Sequence, residues 1–80
     1  MLRKLKYIIG EANQPILFSE YYMHSEFKNF NPIRAGFVLI HMEDFGKKVG
    51  RVQCTCYGES ISLKLKSDPK LDAEIIKRFL

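Results

Sequence analysis

Cys54 and Cys56, together with His24 and His41, are four side chains of the types that hold zinc, and zinc needs its ligands to converge as a tetrahedron. The Cys-x-Cys spacing is not that of a zinc knuckle. On a strand it sets both thiols on one face about 7 Å apart, too far for an unstrained bridge. The pair therefore reads as small core residues, free thiols of a reducing cytoplasm, and no metal or other cofactor is expected. Gly58-Glu59-Ser60-Ile61-Ser62 offers the serine of a nucleophile elbow without its second glycine or its following helix. His24-Ser25-Glu26 sets an acid–base group beside a hydroxyl, but consecutive helical positions diverge, and serine there suits a helix cap. No glycine-rich phosphate loop occurs. The chain is expected not to be an enzyme.

Binding chemistry is better represented. Along the run 51–66, Arg51, Gln53, Thr55 and Tyr57 alternate on one face beside Ser60, Ser62, Lys64 and Lys66. Basic side chains with an aromatic on a sheet can track a phosphate backbone and stack a base. Arg51, Tyr57, Lys64 and Lys66 are the nucleic-acid or small-nucleotide candidates. The general binding candidates are His24, Ser25, Arg34, Tyr57, Glu59 and Ser60. Arg34 is included because it follows Pro32 at the start of the central strand, near the end of the first helix.

The elements that position these residues follow from periodicity. Gly58-Glu59 as a two-residue turn places Tyr57 opposite Ser60, Cys56 opposite Ile61, Cys54 opposite Leu63 and Val52 opposite Leu65. That register turns all the apolar pairs to one side. Leu5, Tyr7 and Ile9 alternate within a first strand, Leu2–Ile9. Pro15 opens a short second strand, Pro15–Ser19, where a missing N–H costs least. Met23, Phe27 and Phe30 recur at helical spacing and predict a short helix over 21–30, capped by Ser19 or Ser25 and ended by Asn31-Pro32. Ile33–Met42 is the expected central strand, apolar on both faces and so covered on both by helices or a second subunit. If Glu43 lies opposite Lys48 across the loop Asp44–Lys47, Phe37 faces Cys54 and Leu39 faces Val52 on the core side. Asp68 as N-cap, Pro69 at N1, early acids and late bases mark a C-terminal helix, with an apolar stripe of Leu71, Ile75 and Phe79 widened by Ile76 and Leu80.

The expected fold is a single α+β domain over residues 1–80. It has an antiparallel sheet of about five strands (Leu2–Ile9, Pro15–Ser19, Ile33–Met42, Val49–Tyr57, Ser60–Lys66), one short helix and a C-terminal helix packed on it. Eighty residues bury a smaller share of their surface than a longer chain does, so self-association or a partner would help stability. The net charge of +4 comes from cations spread from Arg3 to Arg78, a weak argument for nucleic acid by itself. The apolar stretch after Arg3, Lys4 and Lys6 is too short for a signal peptide. The longest uncharged apolar run, Ala35 to Met42, is far below the roughly 20 residues of a membrane helix, so no membrane association is expected.

Ala35-Gly36-Phe37-Val38, Cys56 through Leu63, Ser67-Asp68-Pro69 and Asp72 through Ile76, with His24-Ser25 before the central strand, together resemble a group of small phage- and prophage-type proteins without an assigned activity. The resemblance spans about two thirds of the chain, from the first helix onward. It departs in the loop Glu43 to Lys48 and in Lys70-Leu71. It implies a phage-type accessory protein acting by stoichiometric binding to a host or phage protein, with inhibition of a host defence system among its roles, and the two-sided apolar strand adds a homodimer. Nucleic-acid or nucleotide binding is the alternative.

Overall fold

The computed structural model describes residues 2–45 and 48–80, with side chains over 2–42 and 52–80. It is an α+β fold. Four antiparallel strands, β1 (Leu2–Gly10), β2 (Pro15–Phe18), β3 (Pro32–Phe45) and β4 (Lys48–Tyr57), lie in the order β2-β1-β3-β4. A 3-10 helix (His24–Phe30) joins β2 to β3. After β4, two short strands, β5 (Glu59–Ser60) and β6 (Leu65–Lys66), form a second sheet, and helix α1 (Pro69–Arg78) closes the chain.

Pleating gives the main sheet two different faces. Tyr7, Ile9, Val38, Ile40, Cys54 and Cys56 point to one side, where Ile75 and Ile76 of α1 cover them. Ile8, Ala35 and Phe18 point to the other, beneath Phe27 of the 3-10 helix and Leu63 and Leu65 of the β5–β6 unit. That second cover stops partway along the strands. Beyond it the face carrying Lys4, Leu39, His41, Gln53, Thr55 and Tyr57 is largely exposed among the described residues, with Lys6 and Phe37 at the margin of the cover.

Both predicted features of the C-terminal helix start are present: the Asp68 carboxylate accepts from the Leu71 amide at 3.4 Å and Pro69 opens the helix. Its buried stripe differs from the expected one. Ile75 and Ile76 are buried with Asp72, whereas Leu71 and Phe79 are exposed. The first helix is a 3-10 helix rather than an α-helix, and neither Ser19 nor Ser25 caps it. The Glu26 carboxylate reaches back to the Met23 amide at 2.7 Å, and Asn31 in the left-handed region ends it next to Pro32.

Two expectations about β4 are overturned. Gly58 does have positive φ (78°), but it turns the chain away from the sheet instead of folding 60–66 back along β4. Residues 61–64 are a turn, not strand. Ser60 Oγ accepts from the Leu63 amide at 3.2 Å, Lys64 takes positive φ, and Ser67 donates to the Gly58 carbonyl through both Oγ (2.7 Å) and N (3.2 Å). These local bonds compete successfully with strand pairing. Leu63 and Leu65 still reach the interior, on the face opposite the cysteines, while Ile61 is exposed. The β3–β4 register is also three residues from the expected one: Phe37 faces Tyr57, Val38 faces Cys56 and Ile40 faces Cys54. Pairing runs on to Phe45↔Lys48 through a bulge between Met42 and Asp44, consuming residues expected in the loop. An odd shift exchanges the faces, so Phe37 and Leu39 lie on the side away from α1.

Candidate functional site

The open part of the sheet brings together residues from three strands. Phe37 and Tyr57, paired directly across β3 and β4, stack with ring centroids 5.6 Å apart and planes 21° from parallel. Cross-strand pairing fixes this geometry without a loop. From β1, Lys4 Nζ lies 5.3 Å and Lys6 Nζ 6.0 Å from the Phe37 ring centroid, a cation–π arrangement on both counts. Lys4 also pairs with Glu20 at 3.7 Å, and Lys6 Nζ donates to the Tyr22 carbonyl at 2.8 Å.

Two depressions lie along this face. One of about 360 Å³ is lined by Leu2, Leu39, His41, Gln53 and Thr55. The other, about 410 Å³, lies where the sheet meets the 3-10 helix and the β5–β6 unit, and Lys6, His24, Phe37, Glu59 and Ser62 stand in its wall. His24 is 5% exposed, its ring edge-on to both Phe18 and Phe37. Its Nε2 lies 2.9 Å from the Gly36 carbonyl. A carbonyl can only accept, so Nε2 carries the proton in the neutral ring and Nδ1 keeps its lone pair. Burial holds the His24 pKa below the usual imidazole value, with the Lys6 charge acting the same way against the opposing Gly36 bond. Comparison with known proteins returns no match: no family model, no curated protein and no solved structure is similar to this chain. The site must be read from its own geometry.

Of the sequence candidates, His24 and Glu59 share the larger cleft, and Tyr57 stands beside it on the sheet. Ser25 is half-buried on the 3-10 helix, and Ser60 is buried within its turn. Arg34 is on the opposite face, where its Nε donates to Asp72 at 2.6 Å. Lys64 and Lys66 do not continue the Tyr57 face. Lys64 sits in the turn and Lys66 pairs with Glu59 in the small sheet, because the expected 51–66 hairpin does not form. The Arg51 side chain lies outside the described residues. Lys4, Lys6 and Phe37 were not among the candidates. The signal that could have found the lysines was their alternation with Leu5 and Tyr7 on β1, which puts both on one face.

His41 stands on the face opposite Cys54 and Cys56. Among the described residues no group of three His, Cys, Asp or Glu side chains is arranged to hold a metal ion, and no helix is long and apolar enough to cross a membrane.

Proposed function

We propose that this chain is a non-catalytic, stoichiometric binding protein whose open sheet face takes single-stranded nucleic acid. The observation that carries the reading is the stacked Phe37–Tyr57 pair flanked by Lys4 and Lys6 on the partly open face of the antiparallel sheet. Aromatics on a sheet stack unstacked bases, and neighbouring ammonium groups donate to phosphate oxygens. The shallow trough past Leu39, Gln53 and Thr55 extends the track along the strands. Free Cys54 and Cys56 suit a reducing compartment such as the cytoplasm. In the phage-type setting that the sequence resembles, such a protein would act by occupying a host or phage nucleic acid, and interference with a host defence system is one use of that occupancy.

Fluorescence anisotropy with a labelled single-stranded oligonucleotide tests this. Binding should weaken steeply as salt rises, because neutralised phosphates release counterions. Tyr57→Ala should cost about five- to a hundredfold in affinity, the worth of one stacked base, and Lys4→Glu should flatten the salt dependence. Absence of binding at low salt, or affinity indifferent to both substitutions, refutes the reading.

A protein partner is favoured by a different observation, and the partner it fits is a second copy of this chain. β4 is an edge strand, and from Val52 to Tyr57 it holds no charge, proline or glycine, the devices that normally block edge pairing. A groove between that edge and α1 carries Glu74 and Lys77. Antiparallel pairing of two β4 edges would run the two α1 helices side by side and set Glu74 of each copy towards Lys77 of the other. Light scattering should show a dimer that Glu74→Lys or Lys77→Glu weakens and the double exchange restores. A strict monomer at high concentration removes this second reading.

A further inference from the structure

We propose that the cleft at the junction of the sheet, the 3-10 helix and the β5–β6 unit binds one nucleotide whose base carries an exocyclic amine. The ligand class rests on the nucleic-acid reading above; the site and its selectivity are new. The cleft holds about 410 Å³, within the range of small-ligand pockets. Beside the apolar Met23, Phe37 and Ile61, its lining includes the Lys6, His24, Glu59 and Ser62 side chains, polar groups that a simple apolar groove would not collect.

His24 gives the cleft its selectivity. Nε2 is committed to the Gly36 carbonyl, which leaves Nδ1 as an acceptor. No polar side-chain atom among the described residues is both buried and unpaired, and Nδ1 has no protein donor, so it is open to solvent. His24 lines the cleft, and we infer that Nδ1 opens into it. On that inference two acceptors, His24 Nδ1 and the Glu59 carboxylate, border a space that the Phe37 ring also lines. An N–H donor on a flat ring satisfies them, and a carbonyl in its place would set acceptor against acceptor. Lys6 supplies the opposite preference. One of its three N–H donors is taken by the Tyr22 carbonyl, and the others are available to a phosphate. A planar amine-bearing base joined to a phosphate matches all of these groups.

The test uses the full chain with AMP, IMP and inorganic phosphate as probes, read by amide and side-chain NMR shifts and by calorimetry. AMP should move Lys6, His24, Phe37 and Glu59 and bind at least about tenfold more tightly than IMP, which has a carbonyl where AMP has the amine; one lost hydrogen bond to a charged acceptor is worth that much. Glu59 is exposed, so Glu59→Gln should leave the fold intact while eroding the preference for AMP. Equal binding of AMP and IMP, shifts reproduced by inorganic phosphate alone, or no response to AMP at millimolar concentration each overturn the proposal. The oligonucleotide assay keeps the two readings apart. AMP binding without oligonucleotide binding leaves the cleft and removes the sheet track, and the converse removes the cleft.

Discussion

The Tyr7 hydroxyl donates to the Asp72 carboxylate at 2.6 Å in the buried interior, between residues 65 positions apart in sequence. The same carboxylate accepts from Arg34 Nε at 2.6 Å and from the Asp68 amide at 2.9 Å. One fully buried acid thus ties β1, β3 and the N-terminus of α1 together. Its partners satisfy it as a buried charge must be satisfied.

Asp72→Ala leaves the Arg34 guanidinium, the Tyr7 hydroxyl and a helix-entry amide facing a void. Breaking a buried ion pair from one side costs about 3 to 5 kcal/mol, a large part of what holds a domain of this size. Tyr7→Phe removes one bond to a charged acceptor and should cost about 1.5 to 3 kcal/mol. Urea denaturation of the two variants gives the order. A Tyr7→Phe loss equal to or larger than that of Asp72→Ala would show that Asp72 is not the hub.

Gly36 and Gly58 are intolerant for different reasons. A Cβ on Gly36 would lie 2.7 Å from the Tyr57 carbonyl oxygen and 3.0 Å from Ser67 Cβ, so the β3–β4 backbone itself must move. At Gly58 the φ of +78° strains any L-residue, and its Cβ would meet Phe37 Cδ2 at 3.0 Å. Gly58→Ala should cost about 1 to 2 kcal/mol, roughly 4 to 8 °C per kcal/mol in melting temperature for a domain of this length. Gly36→Ala should cost more. Melting curves that place Gly36→Ala above Gly58→Ala would contradict this packing of Gly36 against Tyr57 and Ser67.

These contacts also mark where sequence reasoning stopped. Elements declared by their own residues were legible: the Asp68-Pro69 helix start, the Leu5/Tyr7/Ile9 alternation of β1, the Pro15 strand and the central place of β3. The path of residues 59–66 was not, because Ile61, Leu63 and Leu65 alternate as a strand would while Ser60 and Ser67 stabilise turns that periodicity does not record. Asp72 read as a carboxylate favoured by the helix dipole, since nothing local announces that Tyr7 and Arg34 will meet it. Of the cleft only His24 and Glu59 were visible among the candidates. Phe37 was assigned to the core because the register of β3 depended on the stretch 43–48, where a bulge adds an odd offset and turns the strand over.

His24 should make the fold sensitive to mild acid. Its folded pKa lies below the unfolded value of about 6.5, chiefly through burial, so the fold favours the neutral ring. The contribution is complete above pH 6.5 and is lost as pH falls through the folded pKa. Thermal melts from pH 7.5 to 5 should decline for the native chain and decline less for His24→Gln, whose amide can still donate to the Gly36 carbonyl. Parallel curves for the two proteins would show that His24 is not the titrating group.

The alkaline limit has the opposite sign. Burial pushes the Cys56 thiol up to about 11 from 9.0, with Asp72 and Cys54 adding to the rise and the neighbouring Tyr7 hydroxyl opposing it, and burial also raises Cys54. The folded state therefore binds these protons more tightly than the unfolded chain does. The stability this gives is whole below about pH 9 and drains away as pH climbs through the folded value. Tyr7, raised by burial and by its bond to Asp72, works in the same direction. Thiolate is the reactive form, so at pH 8 a disulfide reagent should label the native chain far more slowly than the urea-unfolded chain, and half-buried Cys54 before buried Cys56. Equal native and unfolded rates at Cys56 would mean that the α1 face of the sheet opens freely, which the Asp72 tie and the Ile75–Ile76 cover should prevent.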